Sequence, residues 1–262
     1  MGTTVSEIKA MLQVADADEL AALERSLVAD TRKGVVQALQ VARRRIQAEA
    51  AENARLEGMF AYQEELAATR GGGVIVGLDE VGRGSLAGPL AVGAVVLPPD
   101  VRIVGLNDSK QVTPVERRRI AEEVRACALA CTVVYIQPAE IDARGIGKCL
   151  VSAFQKAIRE IEALGVVPDV VLLDGVALHM DPREINVVKG DGKCANIAAA
   201  SIVAKVARDD LMCELAKEYP VYGWDGCKGY GSAAHIEAIK TYGLTPYHRV
   251  SFCSNLMQET LF

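Results

Sequence analysis

The stretch GLDEVGRGSLAGP begins at Gly77 and closes the apolar run VIVGL with two adjacent carboxylates, Asp79 and Glu80. Gly82, Arg83 and Gly84 follow at once. A second apolar run, DVVLLDG, also ends in an acid, Asp174, and VVKGDGK places Asp191 just ahead of a long helical stretch. Each acid alone has an ordinary reading. Carboxylates at strand ends face water, Asp174-Gly175 is a turn pair, and Asp191 is as readily a helix cap. Strand periodicity groups them differently. Ile75, Gly77 and Asp79 share one face of the first run, and Val170, Leu172 and Asp174 share one face of the other. Side by side, two such strands bring Asp79 and Asp174 together at their carboxyl ends, with Glu80 alongside. Acids gathered in a low-dielectric cleft repel one another and lose hydration. Hard divalent cations offset that cost through oxygen coordination. The chemistry such a cluster suits is Mg²⁺- or Mn²⁺-dependent phosphoryl transfer.

The elements that must position these acids are readable in outline. Residues 1–70 are rich in Ala, Glu, Arg and Gln and read as two or three helices. Ser6 is the expected first cap, Ile8, Met11 and Leu12 one face, and Leu20, Leu23 and Leu27 a second stripe. A long charged helix starting near Ala42 ends before Gly71-Gly72-Gly73, a helix stop. From Val74 the order is β-β-α-β-α-β-β-α, with a further helix over SAAHIEAIKTYG. One helix has a marked start: Thr113 as cap, Pro114 at the first position and Glu116 closing a capping box. The short link between the first two strands implies an antiparallel turn, and the helical connections imply parallel pairing among the later ones. The fold class is α/β, a mixed sheet flanked by helices behind a helical N-terminal extension.

Composition bounds the rest. The 262 residues carry a net charge of −5, so no bulk basic character announces a nucleic-acid binder, and a local basic patch can still serve as one. Seven cysteines lack zinc-type spacing and read as reduced thiols of a cytoplasmic protein. No signal segment or membrane-spanning apolar run is apparent. Met1-Gly2 is only a weak myristoylation motif. His179, His235 and His248 form no metal-ligating pattern.

GLDEVGRGSLAGPLAVGAV resembles the first block of bacterial type 2 ribonuclease H, ribonuclease HII. NDSK, LLDG, VVKGD, AAASIVAKVARD, YPVYGW, CKGYGS and HRVSF recur in that family's order, so the resemblance covers roughly residues 74–252. It implies a ribonuclease H-like fold with a five-stranded mixed sheet over 71–262, including a C-terminal helical region. It also implies endonucleolytic hydrolysis of RNA paired with DNA, including cleavage 5′ of a single ribonucleotide in duplex DNA, giving 3′-hydroxyl and 5′-phosphate ends. The implied partners are RNA–DNA hybrids and ribonucleotide-containing duplex DNA, acted on by a monomer with two Mn²⁺ or Mg²⁺ ions.

The family's catalytic and metal-ligating carboxylates match Asp79, Glu80, Asp174 and Asp191. Its glycine-arginine-glycine segment, which reads the ribose 2′-hydroxyl through backbone groups, matches Gly82, Arg83 and Gly84. Tyr230 matches the tyrosine that stacks on the following deoxyribose. Ser109, Lys110, Lys189 and Lys228 are the expected phosphate neighbours. Asp209 is a rival fourth ligand, read here as a salt-bridge partner or surface acid. Val81, Ser85 and Cys227 stand where alanine, proline and histidine are usual, and Cys194 lies close to Asp191. A type 3 ribonuclease H would carry lysine in a different glycine context. A hybrid-binding module without catalysis would have no use for all four acids.

Overall fold

The structure is a computed structural model and describes residues 3–258; Met1-Gly2 lies outside them. In chain order the elements are α1 (Val5–Val14), α2 (Ala17–Ser26), α3 (Lys33–Ala68), β1 (Ile75–Val81), β2 (Leu90–Val96), α4 (Pro114–Cys127), β3 (Ala130–Ile136), α5 (Pro138–Arg144), α6 (Ile146–Ala163), β4 (Val170–Asp174), β5 (Glu184–Val187), α7 (Ala195–Glu218), α8 (Trp224–Cys227), α9 (Ala233–Tyr242) and α10 (Val250–Gln258). The chain divides into two compact units, Met1–Glu57 and Gly58–Phe262, with the division falling inside α3.

The first unit is built from capped helices. Thr4, rather than the expected Ser6, caps α1 in a reciprocal box with Glu7, and Asp16 does the same for α2 with Glu19. Thr4 wins because its side chain sits one turn ahead of a glutamate that can reach back. Ile8, Leu12, Leu20, Val35 and Ala42 close a small core. Met11 turns outward, since Ile8 and Leu12 at i and i+4 already fill the buried stripe. The long helix begins at Lys33, earlier than its charged stretch suggests, because Val35 and Ala42 supply the apolar contacts that extend it.

The second unit holds a five-stranded sheet of order β3-β2-β1-β4-β5. β1 and β2 are antiparallel, and β1–β4 and β4–β5 are parallel. The expected parallel pairing fails at β3, which runs antiparallel to β2 although α4 lies between them. Val96 pairs with Ala130, so the chain leaves and re-enters the sheet at one end and α4 never crosses it. At α4 Thr113 accepts the Glu116 N–H, while the Glu116 carboxylate turns to Arg119 instead of closing the box. α6 buries Cys149, Leu150, Ala153, Phe154, Ala157, Ile158 and Ile161, an i, i+3, i+4 stripe, against Val76, Leu78, Val171 and Leu173.

The opposite face receives α7, and its seating is closer. α7 is buried on most sides and rich in alanine because it lies on bare backbone. A Cβ at Gly77 would fall inside the Asn196–Ile197 peptide, and one at Gly93 would strike the Ala200 carbonyl. Asn196 fastens the contact, donating to the Ile75 carbonyl at 2.7 Å. Gly77→Ala should therefore destabilise the protein by about 1–3 kcal/mol through overpacking. Urea unfolding measures this, and an unchanged midpoint would show that α7 can shift away freely.

Candidate active site

β1 and β4 run parallel with Leu78 beside Leu173, so the next residues, Asp79 and Asp174, finish adjacent strands together. Both lie on the α7 side of the sheet, in the alternation that sends Ile75, Val170 and Leu172 into the core under that helix. The Asp174 carboxylate accepts the Gly190 N–H at 2.7 Å. That bond ties down a one-turn 3₁₀ helix, Gly190–Gly192, which carries Asp191. A side chain at Gly190 would press on Ile197 and Val187, so glycine lets the turn lie against β5 and α7. Asp191 does not cap α7; the residue at that position is Cys194, without a side-chain cap. Asp79 accepts the Glu80 N–H at 2.8 Å, and Ser201 of α7 lies beside its carboxylate and favours the charged form.

The electrostatics follow from this crowding. Burial first, then the charges of Glu80 and Asp174, push Asp79 well above the usual carboxylate range. Glu80 is raised by burial and by Asp174, against the pull of Arg83, whose guanidinium lies 3.5 Å away. Asp191 is raised by burial, Asp174 and Asp108. The nearby cation is Lys110, with Nζ 3.6 Å from Asp191 and 3.7 Å from Asp108. Burial lowers the Lys110 pKa, and the charges of Asp108, Asp191, Asp79 and Asp174 outweigh that effect and raise it. The donor set is all hard oxygen, which suits Mg²⁺, Mn²⁺ or Ca²⁺ and not zinc. Among the described residues no three Asp, Glu, His or Cys side chains stand close enough to grip one ion as they are. A cation would have to draw the carboxylates inward.

The remaining expected residues divide. Gly82, buried at φ 81°, opens a turn that leaves Arg83 and Gly84 exposed. Ser109 is buried with its hydroxyl 2.9 Å from that of Ser201, so the Asn107–Lys110 loop is fastened directly behind Asp79. Lys189 is exposed, in a left-handed conformation before the Asp191 turn. Lys228 is not brought to the carboxylates; its ammonium meets the Asp225 carbonyl and the Cys213 thiol. Tyr230 is 39% exposed, its ring 5.6 Å from the guanidinium of Arg208. Asp209 pairs with Lys205 at 2.7 Å and lies 3.8 Å from Arg117, a salt-bridge role. Cys194 is a buried core thiol pushed up to about 12 by burial, which suppresses the reactive thiolate.

Several working residues carried little sequence signal. Arg117 donates to the carbonyls of Ser109 and Val112 and so shapes the loop that presents Lys110. Arg208 and Arg249 are wholly buried and donate to backbone carbonyls around Gly82–Pro89. Burial, with Arg208 nearby, lowers Arg249 to about 10. His235 holds the Tyr230 carbonyl through Nδ1 at 2.9 Å and receives the Trp224 indole N–H on Nε2. Nothing local singled out Arg208, since α7 also carries Lys205, Asp209, Asp210 and Lys217. A cavity of about 670 Å³ near Thr69, His179 and Glu184 includes none of the four acids. The acids gather instead at the carboxyl ends of β1 and β4.

A mixed five-stranded sheet with carboxylates at the ends of its central parallel strands defines a ribonuclease H-type α/β protein. The Ribonuclease HII description matches residues 76–255, and the Ribonuclease HII N-terminal domain matches 4–67. A ribonuclease HII of Geobacillus sp. (strain WCH70) is 40% identical over 249 residues, 95% of this chain and 88% of that one. The chain belongs to the ribonuclease HII family. Among solved structures, ribonuclease H2 from Pyrococcus horikoshii OT3 superposes with TM-score 0.62 at 26% identity, over 71% of this chain and 98% of that one. A Bst ribonuclease HIII in complex with Mn²⁺ shares the fold at 17% identity and TM-score 0.60, over 72% of this chain and 70% of that one.

The raised Asp79 pKa has a stability consequence. Between the unfolded value near 3.8 and the higher folded value, the folded state holds a proton that the unfolded state has released. Stability therefore falls as pH rises through that window, and at neutral pH the buried acid is a net cost. Asp79→Asn should raise the melting temperature at pH 7.5, by about 2–4 °C for each kcal/mol relieved, with the gain shrinking as pH falls toward 4. Calorimetry of the metal-free protein decides it; a lower melting temperature at pH 7.5 would contradict the burial assignment.

Proposed function

We propose that this protein hydrolyses the RNA strand of RNA–DNA hybrids and cuts 5′ of a single ribonucleotide embedded in duplex DNA, leaving 3′-hydroxyl and 5′-phosphate ends. The observation that carries this reading is the meeting of Asp79 and Asp174 on adjacent parallel strands, with Glu80 and Asp191 beside them, directly before the Gly82-Arg83-Gly84 turn. Family membership and the likeness to a solved ribonuclease H2 support it. The same reading takes the protein to be a cytoplasmic monomer. It is consistent with seven free cysteines and with the lack, among the described residues, of any helix long and apolar enough to cross a membrane.

Asp79, Glu80, Asp174 and Asp191 would hold Mg²⁺ or Mn²⁺. A bound pair of such ions supplies charge neutralisation for the phosphodiester and acidification of a water. The chain's own groups do the rest. Asp79 and Asp174 define the reaction centre from two strands, while Glu80 and Asp191 flank it on opposite sides. Ser201 stands beside the Asp79 carboxylate and favours its charged form. Lys110, exposed beside Asp191, is free to exchange its carboxylate contact for a backbone phosphate. Arg83 stands over Glu80 in position to meet the next phosphate. Exposed Tyr230 offers a flat face to a sugar, where an added 2′-hydroxyl would crowd the contact.

The test is cleavage of a DNA duplex containing one ribonucleotide, with Mg²⁺ and separately with Mn²⁺. Cutting on the 5′ side of that residue is expected, and none with EDTA. Cutting only of longer RNA tracts would point to type 3 specificity, and binding without cutting to a non-catalytic module. Asp79→Asn should reduce turnover on the order of a thousandfold, the loss of several kcal/mol of charge stabilisation. Turnover within a few-fold of the parent would remove Asp79 from the centre.

A further inference from the structure

The turn that follows β1 is shaped from behind by a guanidinium. Arg249 is 0% exposed, and every acceptor it meets is a backbone carbonyl: Gly82 at 2.7 Å, Arg83 at 2.9 Å and Gly88 at 2.9 and 3.1 Å. A trans peptide sets each carbonyl and the following N–H on opposite sides. With the Gly82 and Arg83 carbonyls turned inward onto Arg249, the N–H groups of Arg83 and Gly84 must turn outward. Among the described residues neither N–H has a protein acceptor. Gly84 adds an independent sign. A Cβ there would meet nothing within 4 Å, so no packing inside the protein calls for glycine. The bare backbone leaves room for something that approaches from outside.

A second guanidinium joins this turn to the tyrosine loop. Arg208 donates to the Lys228 carbonyl at 2.9 Å and to the Ser85 hydroxyl at 2.8 Å, and Ser85 in turn donates to the Gly82 carbonyl at 2.9 Å. Arg249, Gly82, Ser85, Arg208 and Lys228 thus form one hydrogen-bonded frame behind the exposed face that ends in Tyr230.

We infer that Arg249 is a specificity-determining positioning residue: by gripping the Gly82 and Arg83 carbonyls it aims the Arg83 and Gly84 N–H groups at a ribose 2′-hydroxyl, and Ser85 locks that aim to the Tyr230 loop through Arg208. This rests on the reading of ribonucleotide recognition given above. Lysine at 249 keeps the charge but has a single nitrogen, which cannot span carbonyls from three residues.

The experiment compares the parent, Arg249→Lys and Ser85→Ala, each with Mg²⁺. It measures kcat/KM on a duplex carrying one ribonucleotide, and the inhibition constant of the same duplex made wholly of DNA. The expected result for Arg249→Lys is a fall of about tenfold in kcat/KM with little change in the DNA inhibition constant, the signature of misaimed hydrogen bonds. For Ser85→Ala a fall of about threefold is expected. An unchanged kcat/KM, or a DNA constant that weakens by the same factor, would overturn the proposal and leave Arg249 a purely structural residue. Should Arg249→Lys fail to fold by circular dichroism, Ser85→Ala decides alone, and parental kcat/KM in it overturns the frame. A parent protein that does not cut at the ribonucleotide defeats the underlying functional reading instead, a result separate from any difference between variants.

Discussion

Helix α7 lies on the sheet backbone to backbone, with no side chain between it and β1 at Gly77 or β2 at Gly93. That separation fixes the rest of the second unit. It sets Ser201 against the Asp79 carboxylate and within 2.9 Å of Ser109, which seats the loop carrying Lys110. Seven residues further along the same helix, Arg208 reaches the carbonyls of Ala87, Pro89 and Lys228. One helix thereby sets the carboxylate cluster, the Lys110 loop and the Tyr230 loop against a common reference.

Charge is distributed unusually around this helix. The acids at the strand ends are short of counter-ions, whereas the two buried guanidiniums are satisfied by carbonyl dipoles. Two like charges about 5 Å apart repel by about 3 kcal/mol at an effective dielectric of 20. That repulsion opposes full ionisation of the cluster, while the arginines are satisfied as they stand.

Much of this was legible in the chain. The acid-terminated runs VIVGLD and DVVLLD, read with period 2, placed Asp79 and Asp174 on one side of neighbouring strands, and the register bears out their adjacency. The fold class and the antiparallel first hairpin were equally clear. What escaped were features set by tertiary geometry. The orientation of β3 depends on whether α4 crosses the sheet, which its own sequence does not encode. Ser6 and Thr4 are both plausible caps, and only the reach of Glu7 separates them. The roles of Arg208 and Arg249 were not legible, because carbonyl acceptors contributed by residues more than a hundred positions away leave no local pattern.

That distance has a consequence for cooperativity. Arg249 bonds to Gly82 and Arg83 across 167 and 166 positions. Contacts so far apart in the chain form late in folding, because loop-closure entropy is lost before they return any stability. The turn after β1 therefore takes its shape only once the segment around Arg249 has docked, and it loosens wherever that docking is lost.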